Sequence, residues 1–135
     1  MTPTETVQST MPMCATLGIT ASEFTPDRVV LHLDWQPALC TSAGLLHGGA
    51  LMTLADSAGA ASAFLNLPDG ASATSTIESK TNFLGGVRAG ASITATATPL
   101  HRGATTIVVE TELRTGEGKL VAKTTQTQAV LRPRS

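Results

Sequence analysis

A histidine and two glycines, His47-Gly48-Gly49, open a small-residue apolar stretch that holds one carboxylate, Asp56. No Lys or Arg lies between Gly44 and Asp69 to pair with it. An ionised Asp on an apolar helix gives up hydration and is costly unless another group compensates. A chain that keeps such a group is commonly using it for chemistry, so Asp56 is read as a buried, reactive carboxylate. The alternative is that it faces solvent on the one wet stripe of its helix. The reference pKa of ~3.9 keeps Asp56 ionised at neutral pH unless burial raises it strongly. It can then take a proton from water or attack an electrophilic carbon directly, and residue types do not separate the two.

The glycines supply a complementary group. The first N–H groups of a helix lack intrahelical partners and sit at the positive end of its dipole. With no side chain at Gly48 and Gly49, a carbonyl oxygen can approach that backbone, where its developing negative charge is stabilised. Easing a tight turn is the plainer role for either glycine. Asp56 lies eight residues beyond Gly48, or ~12 Å along a helix axis. Groups that act on one carbonyl need contacts of ~3 Å. Two antiparallel helices related by a two-fold axis bring Gly48 of one copy to Asp56 of another; one helix does not.

These residues need a buried helix and a scaffold around it. Gly48 to Asn66 reads as that helix, stopped by Leu67-Pro68-Asp69-Gly70. Its Ala, Ser and Gly residues keep it thin, and its apolar residues lie on most sides. Before it, Met11–Leu17 reads as a short helix, and Ile19–Phe24 and Val29–Asp34 as strands about Thr25-Pro26-Asp27. After it, 75–83, 92–100, 105–114 and 120–131 are rich in Thr, Val and Ile. Ile93–Thr98 and Thr124–Ala129 alternate as strands do, and short Gly-bearing connections imply antiparallel neighbours. One long helix followed by a run of strands signifies an α+β layer.

Charged residues are 14% of the 135 and aromatics 3%, against 41% hydrophobic. The length suits one domain with a sizeable core. Few charges leave much surface apolar or hydroxylic, which favours an oligomer. A net charge of −1 gives no basic field for nucleic acid or a membrane surface. No run approaches the ~20 apolar residues of a membrane helix. Residues 1–10 lack the pattern of a signal peptide, so a cytoplasmic location is expected. This Thr-rich segment reads as a flexible leader ahead of a single domain over 11–135. Cys14 and Cys40 lack CxxC spacing, which argues against a disulfide or zinc framework. The three His lack metal-ligand spacing, so no metal is expected. A Cys40–His47 nucleophile is disfavoured because nothing there lowers a thiol pKa. His32 reads as a satisfied strand residue, and His101 as exposed beside a turn.

The order of strands, His47-Gly48-Gly49, a helix carrying Asp56 and a long antiparallel run resembles the hotdog fold, an antiparallel sheet wrapped around one central helix. More narrowly, it resembles the acyl-CoA thioesterases of the phenylacetic-acid-pathway (PaaI-like) type, over Leu17 to Leu131. Lys80–Gly90 matches that family's strand and loop after the helix. The resemblance implies hydrolysis of an acyl- or aroyl-CoA to the acid and free coenzyme A, with no cofactor beyond the coenzyme A of the substrate. It implies Asp56 as general base or nucleophile, and the Gly48 amide polarising the thioester carbonyl. It further implies that His47 braces the turn or contacts substrate, and that Thr76 helps hold water. A homodimer is the implied minimal active unit, with a tetramer as a dimer of dimers. Thr41 stands where the family commonly has Asn or Gln, and Gly86 where it has Pro. Gly49 and Thr41 are read as substrate contacts. Arg88, Arg102, Arg132 and Arg134 are candidates for coenzyme A phosphates, with Arg88 and Arg102 taken forward and Arg102 preferred. Rival readings are a non-catalytic acyl-CoA-binding module and another hotdog chemistry such as enoyl-CoA hydration.

Overall fold

Alternation along the strands decides which face meets the helix. In β4 (Ser92–Arg102), Ile93, Ala95 and Ala97 point inward and are fully buried, and in β5 (Thr106–Thr115) Ile107, Val109 and Leu113 do the same. With β1 (Thr20–Phe24), β2 (Val29–Asp34), β3 (Ala73–Phe83) and β6 (Leu120–Leu131), they form one antiparallel six-stranded sheet. Its order is β1-β2-β4-β5-β6-β3. The computed structural model describes residues 1–134.

The sheet wraps one long helix, α3 (Gly48–Leu65). Ala50, Ala55, Ala58, Ala61 and Ala63 are buried along it, with Leu51 and Leu54 filling the space between. Small side chains let the curved sheet come close on several sides, and dense packing follows. The α+β arrangement of a sheet around a central helix is the one the resemblance implied. No helix of the described residues is long and apolar enough to cross a membrane.

Residues 1–10 correct the sequence reading. They hold a helix, α1 (Pro3–Thr10), where a flexible leader was expected. Thr2 caps it by accepting a bond from Glu5 N–H, and Pro3 suits the first turn. Its single large apolar residue, Val7, is completely buried. Gln8 donates to the Ile19 carbonyl at 2.9 Å, and the Thr4 hydroxyl accepts from Ala21 N–H at 2.9 Å. These contacts are long-range, so a Thr-rich composition conceals them. A second short helix, α2 (Pro12–Leu17), ends at Gly18, whose φ of 76° is the left-handed conformation glycine adopts freely.

Candidate active site

His47 is the cap of α3. Its Nδ1 accepts the Gly49 N–H at 2.9 Å, which satisfies one of the helix's first donors. A Cβ at Gly49 would lie 3.2 Å from that nitrogen, so glycine lets the ring fold back over the backbone. The Gly49 amide is thereby occupied. The Gly48 N–H, by contrast, makes no hydrogen bond among the described residues. A Cβ at Gly48 would meet the Phe83 ring at 3.2 Å, so glycine also gives that aromatic its seat.

The approach to the cap is a tight turn. Thr41 N–H donates to the Leu45 carbonyl at 2.8 Å, and Gly44 N–H to the Thr41 carbonyl at 3.1 Å. The Thr41 hydroxyl also points at Leu45, 3.4 Å from its carbonyl oxygen. Leu46 N–H bonds to Val87, tying the loop after β3 to the residues ahead of His47.

Asp56 is exposed in the single chain, which corrects the expectation of a buried carboxylate. It lies on the one open stripe of α3, with Met52 and Phe64 also exposed one turn before and two turns after. The carboxyl is nonetheless crowded by protein. Desolvation raises its pKa, and a hydrogen bond from Gln126 opposes that rise. Gln126 Nε2 lies 3.0 Å from Asp56 Oδ1. No cation contributes to the shift.

Thr76 is on β3, beside a bulge that leaves Ile77 outside the pairing with β6. Its hydroxyl accepts from Gln128 Nε2 at 2.7 Å. That bond leaves the hydroxyl proton available for another acceptor.

The structure thus brings Asp56 to Gln126 and Thr76 to Gln128. It does not bring Gly48 to Asp56, which sit two turns apart on one helix. The two arginines part company as well. Arg88 is on the loop that packs ahead of His47 and lines a cavity of about 510 Å³ with Lys119, Glu117 and Ser92. Arg102 is at the far end of β4 and pairs with Asp27 at 3.5 Å, both exposed. That end lies near Asn66, which follows α3 and bonds to the Pro26 carbonyl. Arg132 instead holds the Asp69 and Ala104 carbonyls. Cys40 donates its thiol hydrogen to the Gln36 carbonyl, and His32 is bonded to Ser22 and Thr94.

Gln126 and Gln128 did not emerge from the sequence. The alternating run 124–129 marks a strand, but it is polar on both faces. One polar face had to turn inward, and that was the available signal.

The sequence profile described as the thioesterase superfamily matches residues 43–122, from just before the cap of α3 into β6. A thioesterase from Haemophilus influenzae superposes with a TM-score of 0.87 at 28% identity, covering 98% of this chain and 92% of that one. The structure of a hypothetical thioesterase protein with coenzyme A, from Streptococcus pneumoniae, gives 0.77 at 26% identity, over 87% and 88% of the two chains. The PaaI protein of the Escherichia coli phenylacetic acid degradation operon shares the fold, with a TM-score of 0.85 at 24% identity over 96% and 91%. Profile and fold agree with the helix-opening glycines, and on these grounds the chain belongs to the thioesterase superfamily and has its hotdog fold.

Proposed function

We propose that this protein hydrolyses the thioester of an acyl- or aroyl-CoA at a site shared between two copies of the chain. The observation that carries the reading is the division of labour along α3. A Gly48 N–H without a partner among the described residues opens the helix, and Asp56, hydrogen-bonded by the Gln126 carboxamide, sits on its open stripe. The Gly48 N–H donates a hydrogen bond to the thioester carbonyl oxygen as it becomes an oxyanion. Asp56 either takes a proton from the attacking water or forms an acyl anhydride that water then opens. In both routes the C–S bond breaks, coenzyme A leaves as the thiol, and the acyl group ends as a carboxylate.

The single chain also offers the surface that a second copy requires. β3 is an eleven-residue strand at the sheet edge, with its outer backbone groups unpaired. Ile77, Phe83 and Phe64 are exposed beside it. Pairing two such edges joins the sheets and covers these apolar residues. In that arrangement α3 meets its copy antiparallel, and Gly48 of one approaches Asp56 of the other. An apolar cavity of about 500 Å³ opens one turn beyond Asp56, between Met11, Phe24, Ala60, Phe64, Leu65 and Thr74. It suits the hydrocarbon of the acyl group, and Arg88 with Lys119 suits the phosphates of coenzyme A.

The test is release of free thiol from aryl, short, medium and long acyl-CoAs under multiple turnover. Apolar acyl groups should be cleaved catalytically. Stoichiometric binding with no thiol release from any of them would leave a binding module instead of an enzyme.

A further inference from the structure

We infer that Gln126 is the positioning residue of Asp56, and that Gly59 is glycine to make room for it. The inference rests on the proposed role of Asp56 and extends it to a strand seventy residues away.

Three observations carry it. The inward face of β6 presents Thr124, Gln126 and Gln128, all buried to within 1% of their surface. Carboxamides in an apolar core are expensive unless hydrogen-bonded. Both amides spend their donors on candidate site residues: Gln126 on Asp56 at 3.0 Å, Gln128 on Thr76 at 2.7 Å. Residues two apart on a strand share a face, so one strand braces a carboxylate on α3 and a hydroxyl on β3.

The second observation is the slot. A Cβ at Gly59 would lie 1.9 Å from Gln126 Oε1 and 2.6 Å from its Cδ. Glycine disfavours the middle of a helix, yet here any side chain would evict the amide. Gly59 is three residues after Asp56, on the neighbouring turn, so the slot and the carboxylate are adjacent.

The third is the surroundings. Gln126 Oε1 has no partner among the described residues, so the amide is not seated for its oxygen's sake. The Cys14 thiol of α2 is buried, and burial raises its pKa, with the Asp56 charge adding to the rise. Desolvation and the Gln126 bond are what move Asp56; no charged group on β6 or β3 contributes. Gln126 is therefore the donor that fixes the carboxylate's rotamer and favours its ionised form against desolvation.

The test is Gln126→Met, which keeps length and volume and deletes the donor. A charge-assisted bond of this kind corresponds to about a 10- to 100-fold fall in kcat, with KM little changed. Because the bond favours the ionised form, the acid limb of the kcat profile should move to higher pH. Gln128→Met should lower kcat without moving that limb. The Asp56 carboxyl is also followed directly by carbon NMR titration, which needs no turnover. A folded Gln126→Met whose Asp56 titrates as in the wild type overturns the inference, whatever its activity. Gly59→Ala supplies a second route: it should impair the wild type and be harmless in a Gln126→Ala background. Equal impairment in both backgrounds also overturns the inference. If Asp56→Asn keeps full activity while the titration shift is present, the catalytic reading fails and the positioning stands.

Discussion

At the scale of residues, Asp56 combines an open position with a crowded carboxyl. Its folded pKa is raised by desolvation, with Gln126 pulling the other way. A raised carboxyl favours the folded state while it is protonated. That advantage is full below the unfolded pKa and is lost as pH rises through the folded one. Asn has no such titration. Asp56→Asn should therefore become more stable relative to the wild type as pH rises from acid to neutral. Urea midpoints measured across that range check it, and parallel curves for the two proteins would contradict the assignment. Thr76→Ala deletes one oriented hydroxyl. A neutral hydrogen bond is worth about 0.5–1.5 kcal/mol, or roughly 2- to 13-fold in rate. Its kcat should fall by that much, well short of the loss expected from Asp56→Asn, about 100- to 10,000-fold for the proposed general-base role. An unchanged kcat would shift the role to Thr74 or Ser75.

At the scale of elements, alternation and turn residues made β1 to β6 legible within a few positions, and the small-residue run made α3 legible. The start of the helix was legible too, from His47-Gly48-Gly49 ahead of the small-residue run, whereas the bond from Gly49 N–H to His47 Nδ1 that caps it was not. Two features were hidden, for related reasons. α1 depends on Val7, Gln8 and Thr4 reaching strand β1, contacts that leave no local periodicity. Gln126 depends on a slot cut by Gly59, on another element, and β6 is polar on both faces. The exposure of Asp56 was misjudged because the helix looked apolar all round, whereas a single chain leaves one stripe uncovered. If α1 is an integral part of the fold, Val7→Ala should cost about 1.5–3 kcal/mol of stability. Denaturant unfolding measures this, and a change near zero would restore the picture of a loose leader.

At the scale of the whole molecule, the account rests on two chains completing each other's sites. Gly48 and Asp56 are ~12 Å apart along one helix axis, and β3 leaves an edge for a second copy. Two inactive variants test this together. Asp56→Asn removes the carboxylate, and Gly48→Pro removes the amide hydrogen. Proline is well suited to the first helical position, and the extended His47 ahead of it, at ψ 136°, accepts a following proline. Phe83 must yield slightly, so circular dichroism and thermal melting first establish that the variant folds. In a mixed dimer one site carries both defects and the other carries neither. Thiol release by the co-refolded mixture is the decisive measurement: activity should return, to about half the wild-type value per heterodimer if the sites are independent. Heterodimers that form and release no thiol would contradict the shared site and place both groups' work within one chain.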